Sequence, residues 1–517
     1  MWTPRDLGFP ESFESFRVAQ EEVLEHAITT EKRFVGIGAP PGVGKSGIAY
    51  GLARLLGGRT VILTANLGLE RQYLETHFLG LVGIRGRANY PCWEGGTCED
   101  GGRLGCGDKE GCPYLGAYKA QQESSIVVTN YAYWLAVHDK GQGIRAPDML
   151  ICDEAGEAPD WLSRSLDFTI SERECREAKC KLDPKPGDEC DEWIKWSTRL
   201  ECAALIAYDL VRVRASHTKS TAASRDLRHA ESFVDRTRKL SRLDDNWVVT
   251  REEGDDEGRV WKFECVWPGR YRERLFRNIP RVVLMSATLR PKTLGLLGIA
   301  RDDCDFREWG RQFPAANGPV IYVPTTRVNH KISDKNEAKW MARIAEILAR
   351  RGDRRGLIHT VSYARAKRIS EAVRKELDGR IILNGAADPD TQTAREAFDR
   401  FIKGAADAVL CSPSFSTGWD FAGRSAEYQI IAKLPLPDPR SKVMQARIAN
   451  DPTYCDYLAA QDLVQSCGRV VRSETDRGET IIIDDSWQWF RAKAADHLPR
   501  WFKVRKEYSL PAPLAKL

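Results

Sequence analysis

The 517-residue chain is long enough for two to four domains, and its composition, 42% hydrophobic and 29% charged, is that of an ordinary soluble globular protein. Lys and Arg (78) exceed Asp and Glu (73) by only 5, so a surface for a polyanion has to be a local patch. No apolar run approaches the roughly 18 residues of a membrane span, and MWTPRDLGFPESFES lacks the basic start and apolar stretch of a secretory leader, so no membrane partner and a cytoplasmic setting are expected. In that setting the 14 cysteines would not form a disulfide framework.

Short β-branched runs alternate with helical patterns along the chain, which predicts parallel sheets with crossover helices and hence an α/β fold. In chain order the first-half runs are FVGIG (34–38), TVILTAN (60–66), SIVVTN (125–130), DMLICDE (148–154) and RVVLMSAT (281–288). The second half gives PVIYVP (319–324), GLIHTVS (356–362), RIILNG (380–385), DAVLCS (407–412), YQIIAKLP (428–435) and TIIIDD (480–485). Two stretches interrupt the first set. Residues 85–116 are glycine-rich and carry clustered cysteines; residues 158–278 are charged and helix-rich and end in two alternating runs, NWVVT and RVWKFECVW.

FVGIGAPPGVGKSGIAYGLARLL (34–56) reads as strand, glycine-rich turn and helix. The run Ala39, Pro40, Pro41, Gly42, Val43, Gly44, Lys45, Ser46 fits a phosphate-binding loop with Ala in place of the first Gly. Small residues let backbone N–H groups wrap phosphates at a helix N-terminus. Lys45 is then placed to reach the β- and γ-phosphates and Ser46 to ligate Mg²⁺. Asp153 and Glu154 close an apolar strand downstream, positions suited to holding Mg²⁺ (Asp153) and polarising the attacking water (Glu154). An acidic pair after a strand is otherwise an ordinary helix start. No NKxD signature is present, which favours ATP over GTP. QSCGRVVRSETDRG (465–478) is read as one short helix carrying Gln465, Gly468, Arg469 and Arg472, with the two arginines on one face. Set against the phosphate loop, such arginines would act on the transferring phosphoryl group as an arginine finger does.

The order of these motifs resembles that of the XPD/DinG family of superfamily 2 iron–sulfur DNA helicases, over nearly the whole chain. TANLGLERQYLE (64–75) is similar to the family's motif Ia through Thr64 and Gln72, and TNYAYWL (129–135) to the segment before the acidic pair. MSATL supplies Ser286, Ala287 and Thr288 of motif III, and HTVSYARAKRI (359–369) looks like motif IV. STGWDF (416–421) looks like motif V with Gly418 and Asp420, LPLPDP (434–439) matches a family turn, and Gln465, Arg469 and Arg472 complete motif VI. FRVAQEEVL offers Arg17 and Gln20 as an adenine-contacting motif. One departure stands out: the family reads Asp-Glu-Ala-His, whereas Gly156 follows Asp153, Glu154 and Ala155 here. That histidine is thought to link hydrolysis to movement, so its absence puts tight coupling in question.

Four cysteines, Cys92, Cys98, Cys106 and Cys112, are separated by five, seven and five residues, and Pro113 follows the last. Structural zinc prefers closer pairs, while four thiolates on a glycine-rich loop suit a 4Fe–4S cluster; spacing alone leaves both open. The resemblance selects the cluster, because the segment lies between phosphate loop and acidic pair as in the iron–sulfur family. It also implies two RecA-like motor domains: residues 1–84, 117–157 and 279–312 forming the first, and 313–517 the second. Residues 85–116 would be the iron–sulfur insertion and 158–278 an arch-like insertion. In the latter, Arg212, Arg214, Lys219, Arg225 and Arg228 could track phosphates or form a solvated helix face, while Trp193 and Trp196, like Trp247, Trp261 and Trp267, suit packing better than base stacking. No fused exonuclease is expected ahead of Ala39. The implied activity is ATP-dependent, 5′-to-3′ movement on single-stranded DNA by a monomer of bacterial or phage origin, acting on forked or 5′-tailed duplexes. RNA and DNA–RNA hybrids stay open as substrates. The rival expectation is a nucleic-acid-stimulated ATPase that remodels protein–DNA complexes without processive unwinding.

Overall fold

Strands that are apolar on both faces need helices on both sides, and the β-branched runs are used in that way. The computed structural model describes the chain except residues 1, 94–95, 104–105, 107–110, 142, 184, 219, 255–257, 374–376, 378, 389–390, 392, 416–418, 420, 422–424, 472 and 516–517, and the side chains of 102 and 103. The first half forms β1 (Phe34–Gly38), β2 (Thr60–Thr64), β3 (Leu81–Gly83), β4 (Ile126–Asn130) and β5 (Met149–Asp153). An excursion then contributes β6 (Phe168–Ser171), β7 (Trp247–Gly254) and β8 (Gly258–Cys265) to a separate sheet before β9 (Arg281–Ser286) and β10 (Cys304–Glu308) return to the first. That sheet runs β10-β1-β9-β5-β2-β4-β3, parallel throughout. Every residue of β1, β2, β4 and β5 is buried.

A second parallel sheet comprises β11 (Val320–Thr326), β12 (Gly356–His359), β13 (Ile381–Ile382), β14 (Val409–Ser412), β15 (Tyr428–Ile431), β16 (Glu479–Asp484) and β17 (Val504–Lys506). Its order is β13-β14-β12-β15-β16-β11-β17. Each run read from the sequence is a strand here, and the molecule is an α/β protein with two such sheets. The strands that escaped the sequence reading all lie at sheet edges: β3, β10 and β17 in the parallel sheets and β6 in the antiparallel one. Cys-Asp-Phe-Arg-Glu in β10 and Val-Arg-Lys in β17 keep charged residues because an edge strand leaves one flank open.

The excursion between β5 and β9 builds its own core. A helical hairpin, Cys190–His217 and Thr221–Leu240, rests on the antiparallel sheet β6-β8-β7, and Ser220 caps the second helix by accepting from the Ala223 N–H at 3.1 Å. Trp193 and Trp261 meet edge-on at 5.1 Å and are fully buried, and Phe263 stacks on Phe168 at 4.5 Å. These aromatics are packing residues, as the sequence reading preferred. Among the described residues no helix is long and apolar enough to cross a membrane.

Burial predicts a contrast between two tryptophans. Trp193→Ala should cost about 3–5 kcal/mol in chemical denaturation, the range for emptying a large aromatic site. Trp93 is 71% exposed, so Trp93→Ala should stay within about 0.5 kcal/mol of the parent protein.

Candidate nucleotide site, cysteine knob and basic cavity

The strand order explains how remote motifs converge. β1, β9 and β5 are neighbours, with Gly38 paired to Ser286 and Asp153 to Met285, so the segments after all three emerge together at the carboxyl edge. This is where open α/β sheets bind ligands. After β1 the chain turns through Gly42 (φ 82°) and Gly44 (φ 87°), both left-handed, and enters the helix Lys45–Leu56. The left-handed conformation calls for glycine at Gly44, and a Cβ there, 2.5 Å from Gln20 Nε2, would also displace the Gln20 amide. Gln20 accepts from the Arg17 N–H at 2.9 Å and donates to the Gly44 carbonyl at 3.3 Å, while Arg17 donates to the Gly42 carbonyl. Both residues expected near the nucleotide therefore sit on the loop. Ala39 and Val43 are buried beneath it.

Asp153 ends β5 and is buried. Tyr73 donates to its Oδ2 at 2.8 Å, and the Glu154 N–H donates to its Oδ1 at 2.9 Å. The Ser46 hydroxyl also reaches Tyr73, so this phenol joins the two residues expected to hold magnesium. Burial, then the charge of Glu154, push the Asp153 carboxyl up, against the pull of Lys45; the site is short of positive charge, which suits a cation. Glu154 adopts φ 49°, a left-handed conformation uncommon for a residue with a side chain. Its Oε1 lies 3.6 Å from Lys45 Nζ, and its Oε2 accepts from Ser286 Oγ at 3.0 Å and Gln465 Nε2 at 3.2 Å. Burial alone would raise its carboxyl, but Lys45, these two hydrogen bonds and Arg469 outweigh burial and hold it below the usual range.

Gln465 belongs to the helix Tyr454–Cys467, which precedes β16 of the second sheet. The expectation of one helix carrying Gln465 through Arg472 is corrected here: Gly468 caps the helix, and Arg469 follows it. Pro41 of the phosphate loop leaves no room for a side chain at this cap: a Cβ on Gly468 would meet Pro41 Cγ at 2.7 Å. Released from helical geometry, Arg469 is buried and donates to the Trp419 carbonyl at 2.8 Å. Arg472, Gly418 and Asp420 lie outside the described residues. Tyr73 was missed by the sequence reading: it stands beside the matched Gln72, and a tyrosine in a helix carries no signal of its own.

The cysteine segment forms a small knob. Cys98 is buried and opens the short helix Cys98–Arg103. A Cβ on Gly101 would lie 2.0 Å from Cys92 Sγ and 3.6 Å from Cys106 Sγ, so these sulfurs occupy the space that this glycine leaves free. Burial, followed by the proximity of Cys112 and then Cys106, pushes the Cys98 thiol up to about 11. Cys98 thus lies near Cys112 and Cys106, and Cys92 and Cys106 lie beside Gly101; thiolates brought together repel unless a cation lies among them. Among the described residues, however, no group of three or more His, Cys, Asp or Glu side chains is arranged to hold a metal ion. The hairpin helix Thr221–Leu240 leans on the knob through Arg228 to Glu99 at 3.0 Å and Ser224 Oγ to the Asp100 carbonyl at 3.3 Å.

That pairing gives Arg228 a tethering role in place of an open phosphate contact, and Arg212 pairs with Asp209 at 2.9 Å. Arg214 and Arg225 are exposed, and Lys219 lies outside the described residues. The basic surface lies elsewhere. A cavity of about 880 Å³ opens between the hairpin, β6 and the first sheet's helices, lined by the cations Lys140, Arg236, Arg238, Lys239, Arg242, Lys262 and Arg274 and by three carboxylates, Asp139, Asp167 and Asp235. Arg274 Nε is buried there without a hydrogen-bond partner. Burial, then Arg274, pull the Lys239 ammonium down to about 8, as expected where cations gather. Sequence inspection singled out the basic stretch 211–242 but named its earlier cations; the patch joins Arg236, Lys239 and Arg242 of that stretch to Lys140, Lys262 and Arg274 from separate segments.

Comparison with known proteins bears on the same regions. Residues 344–505 match the helicase C-terminal domain family. The ATP-dependent helicase DinG of Mycobacterium tuberculosis is 29% identical over 184 residues, covering 34% of this chain and 27% of that protein. The ATP-dependent DNA helicase DinG of Escherichia coli strain K12 is 25% identical over 257 residues, covering 46% of this chain and 35% of that protein. The matches therefore span about a quarter to a third of these curated relatives. A solved XPD helicase structure superposes with a TM-score of 0.64 at 13% identity, covering 95% of this chain and 99% of that one. The structure of S. tokodaii Xpd4 gives 0.61 at 14% identity, covering 95% and 100%. At such identities these structures speak for the fold.

Gly44 offers a direct check on the loop geometry. Gly44→Ala should leave the far-ultraviolet circular dichroism unchanged while weakening ATP binding, read with a fluorescent analogue, by about tenfold or more, the cost of misplacing a phosphate cradle by a fraction of an ångström.

Proposed function

We propose that the chain is a member of the XPD/DinG family of superfamily 2 helicases, an ATP-dependent DNA helicase whose hydrolysis site is completed only when its two sheet domains close. The observation that carries this reading is the position of Glu154, touched at once by Lys45 of the first sheet and Gln465 of the second. A catalytic carboxylate shared across a domain boundary makes hydrolysis answerable to domain closure, as a translocating motor requires.

In this reading residues 1–84, 117–157 and 279–312 form the first motor domain and 313–517 the second, with 85–116 and 158–278 as insertions. ATP lies on the loop Ala39–Ser46 beside Gln20, with Lys45 at its terminal phosphates. Ser46 and Asp153 would hold Mg²⁺, which when bound offsets the phosphate charge. Glu154, kept ionised by Lys45 and its hydrogen bonds, accepts a hydrogen bond from the attacking water and aims it at the γ-phosphorus. As the new P–O bond forms, the bridging oxygen leaves with ADP, and Arg469, with Arg472, offsets charge on the transferring phosphoryl. Gly418 and Asp420 are assigned to nucleotide binding by the motif resemblance alone. Cys92, Cys98, Cys106 and Cys112 would hold a 4Fe–4S cluster, which supplies a rigid cross-link to a segment too poor in apolar residues to fold alone. The basic cavity between hairpin and first sheet supports single-stranded DNA as the partner, since its cations suit a phosphate backbone. The chain acts as a monomer, 5′ to 3′, on forked or 5′-tailed duplexes.

Glu154→Gln should lower single-strand-stimulated ATP turnover by about 10²–10³ while ATP affinity changes little. Strand-displacement assays should show unwinding of 5′-tailed and not 3′-tailed duplexes; the reverse would overturn the polarity, and stimulated hydrolysis without displacement on any tail would favour a remodelling ATPase. Anaerobically purified protein should contain iron and acid-labile sulfide and absorb near ~400 nm. Zinc without iron would refute the cluster.

A further inference from the structure

At the third position after Asp153 the chain carries Gly156, where the resembling family carries histidine. Its φ lies outside the left-handed region, so the backbone here does not call for glycine. The space around it does. A Cβ on Gly156 would lie 2.5 Å from Thr288 Oγ1, 3.2 Å from Ser286 Oγ and 3.6 Å from Gln461 Oε1. The first of these distances is far inside contact range. The atom it would displace is also fixed: Thr288 Oγ1 lies 3.1 Å from Ser286 Oγ and 3.5 Å from Gln465 Nε2, and the Thr288 N–H donates to Ser286 Oγ at 3.2 Å. Ser286 and Gln465 are in turn the two neutral groups bound to Glu154 Oε2.

We propose, on the basis of the functional reading above, that Gly156 is a positioning residue whose missing side chain lets Thr288 seat directly on the acidic turn, so that Glu154 is gripped from both domains without an intermediary histidine. Thr288 fills the room a side chain would take and touches both groups that aim Glu154. A side chain at 156 drives Thr288 outward, and the shift passes through Ser286 and Gln465 to the carboxylate. Gln461, one turn before Gln465 on the same helix, closes the other side of this space and donates to Thr293 Oγ1 at 3.4 Å. The absent histidine is therefore a replacement of one link by another. Hydrolysis and closure stay connected, through hydroxyls in contact with the backbone.

The test is a double-mutant cycle on ATP turnover, with Gly156→Ala, Thr288→Ala and the double variant assayed at saturating single-stranded DNA. Gly156→Ala should lower kcat by about 10- to 100-fold with KM for ATP within about threefold, because Lys45 and the phosphate loop are untouched. Thr288→Ala should cost only a few-fold, and the double variant should match it, because removing Oγ1 restores the room. Losses that multiply in the double variant, or Gly156→Ala at the parent rate, would overturn the inference. Should Gly156→Ala not fold by thermal melting, the double variant should still fold and turn over like Thr288→Ala; its failure to fold would overturn the inference too. A parent protein whose hydrolysis ignores nucleic acid would defeat the functional reading instead, leaving the cycle to be read on unstimulated hydrolysis.

Discussion

The grip on Glu154 is the constraint around which the rest of the molecule is organised. The residue follows a fully buried strand in a left-handed conformation, which costs on the order of 1–3 kcal/mol. Hydrogen bonds to a buried ionised carboxylate contribute about 1.5–3 kcal/mol each, so the bonds from Ser286 and Gln465, with Lys45 nearby, offset that strain. Of these three, Lys45 and Ser286 are delivered by the strand order β1-β9-β5 and need nothing beyond the first sheet. Gln465 has to come from the second. The conformation at Glu154 is thus fully supported only in the closed arrangement, which ties a local strain to a global state.

The contacts that hold the closed arrangement are mostly polar. Lys292 pairs with Asp451 at 2.5 Å and donates to Thr453 at 2.6 Å, and Thr293 meets Tyr457 at 2.9 Å. Arg290 pairs with Glu308 at 2.8 Å, and the other oxygen of Glu308 accepts from the Arg500 N–H at 2.6 Å. Such groups find water partners on opening, so the domains can part at little cost, as polar interdomain interfaces allow. The 158–278 insertion is anchored at both ends. Its hairpin leans on the cysteine knob through Arg228, while Arg447 of the second domain donates to the Val266 and Cys265 carbonyls at 2.9 and 2.8 Å. The bond to the Cys265 carbonyl joins the second domain to β8, the strand that also carries Lys262 of the cavity wall.

What could be read from the sequence follows from how far apart the determining residues lie. The buried strands announced themselves because covered strands are apolar on both faces, and the phosphate loop because its glycines, lysine and serine are consecutive. The edge strands β10 and β17 did not, since an open flank tolerates charge. The helix through Arg469 was overextended past Gly468, where the neighbour that excludes a side chain, Pro41, comes from more than 400 positions earlier in the chain. For the same reason, the tie from Tyr73 to Ser46 and Asp153 and the crowding at Gly156 were invisible, and the basic cavity was visible only in its share of the stretch 211–242: each is a meeting of distant segments. Arg228 shows the converse, a cation that looks free in sequence and is engaged by Glu99 in space.

Because the account depends on a carboxylate held from both sides of a domain boundary, the most direct measurement removes the far side alone. Steady-state ATP hydrolysis of the parent and of Gln465→Ala should be compared across a titration of single-stranded DNA, with ATP affinity measured in parallel. The account predicts strong stimulation in the parent and a loss of about tenfold or more of the stimulated rate in Gln465→Ala, at ATP affinity within about threefold. An undiminished stimulated rate in Gln465→Ala would contradict it.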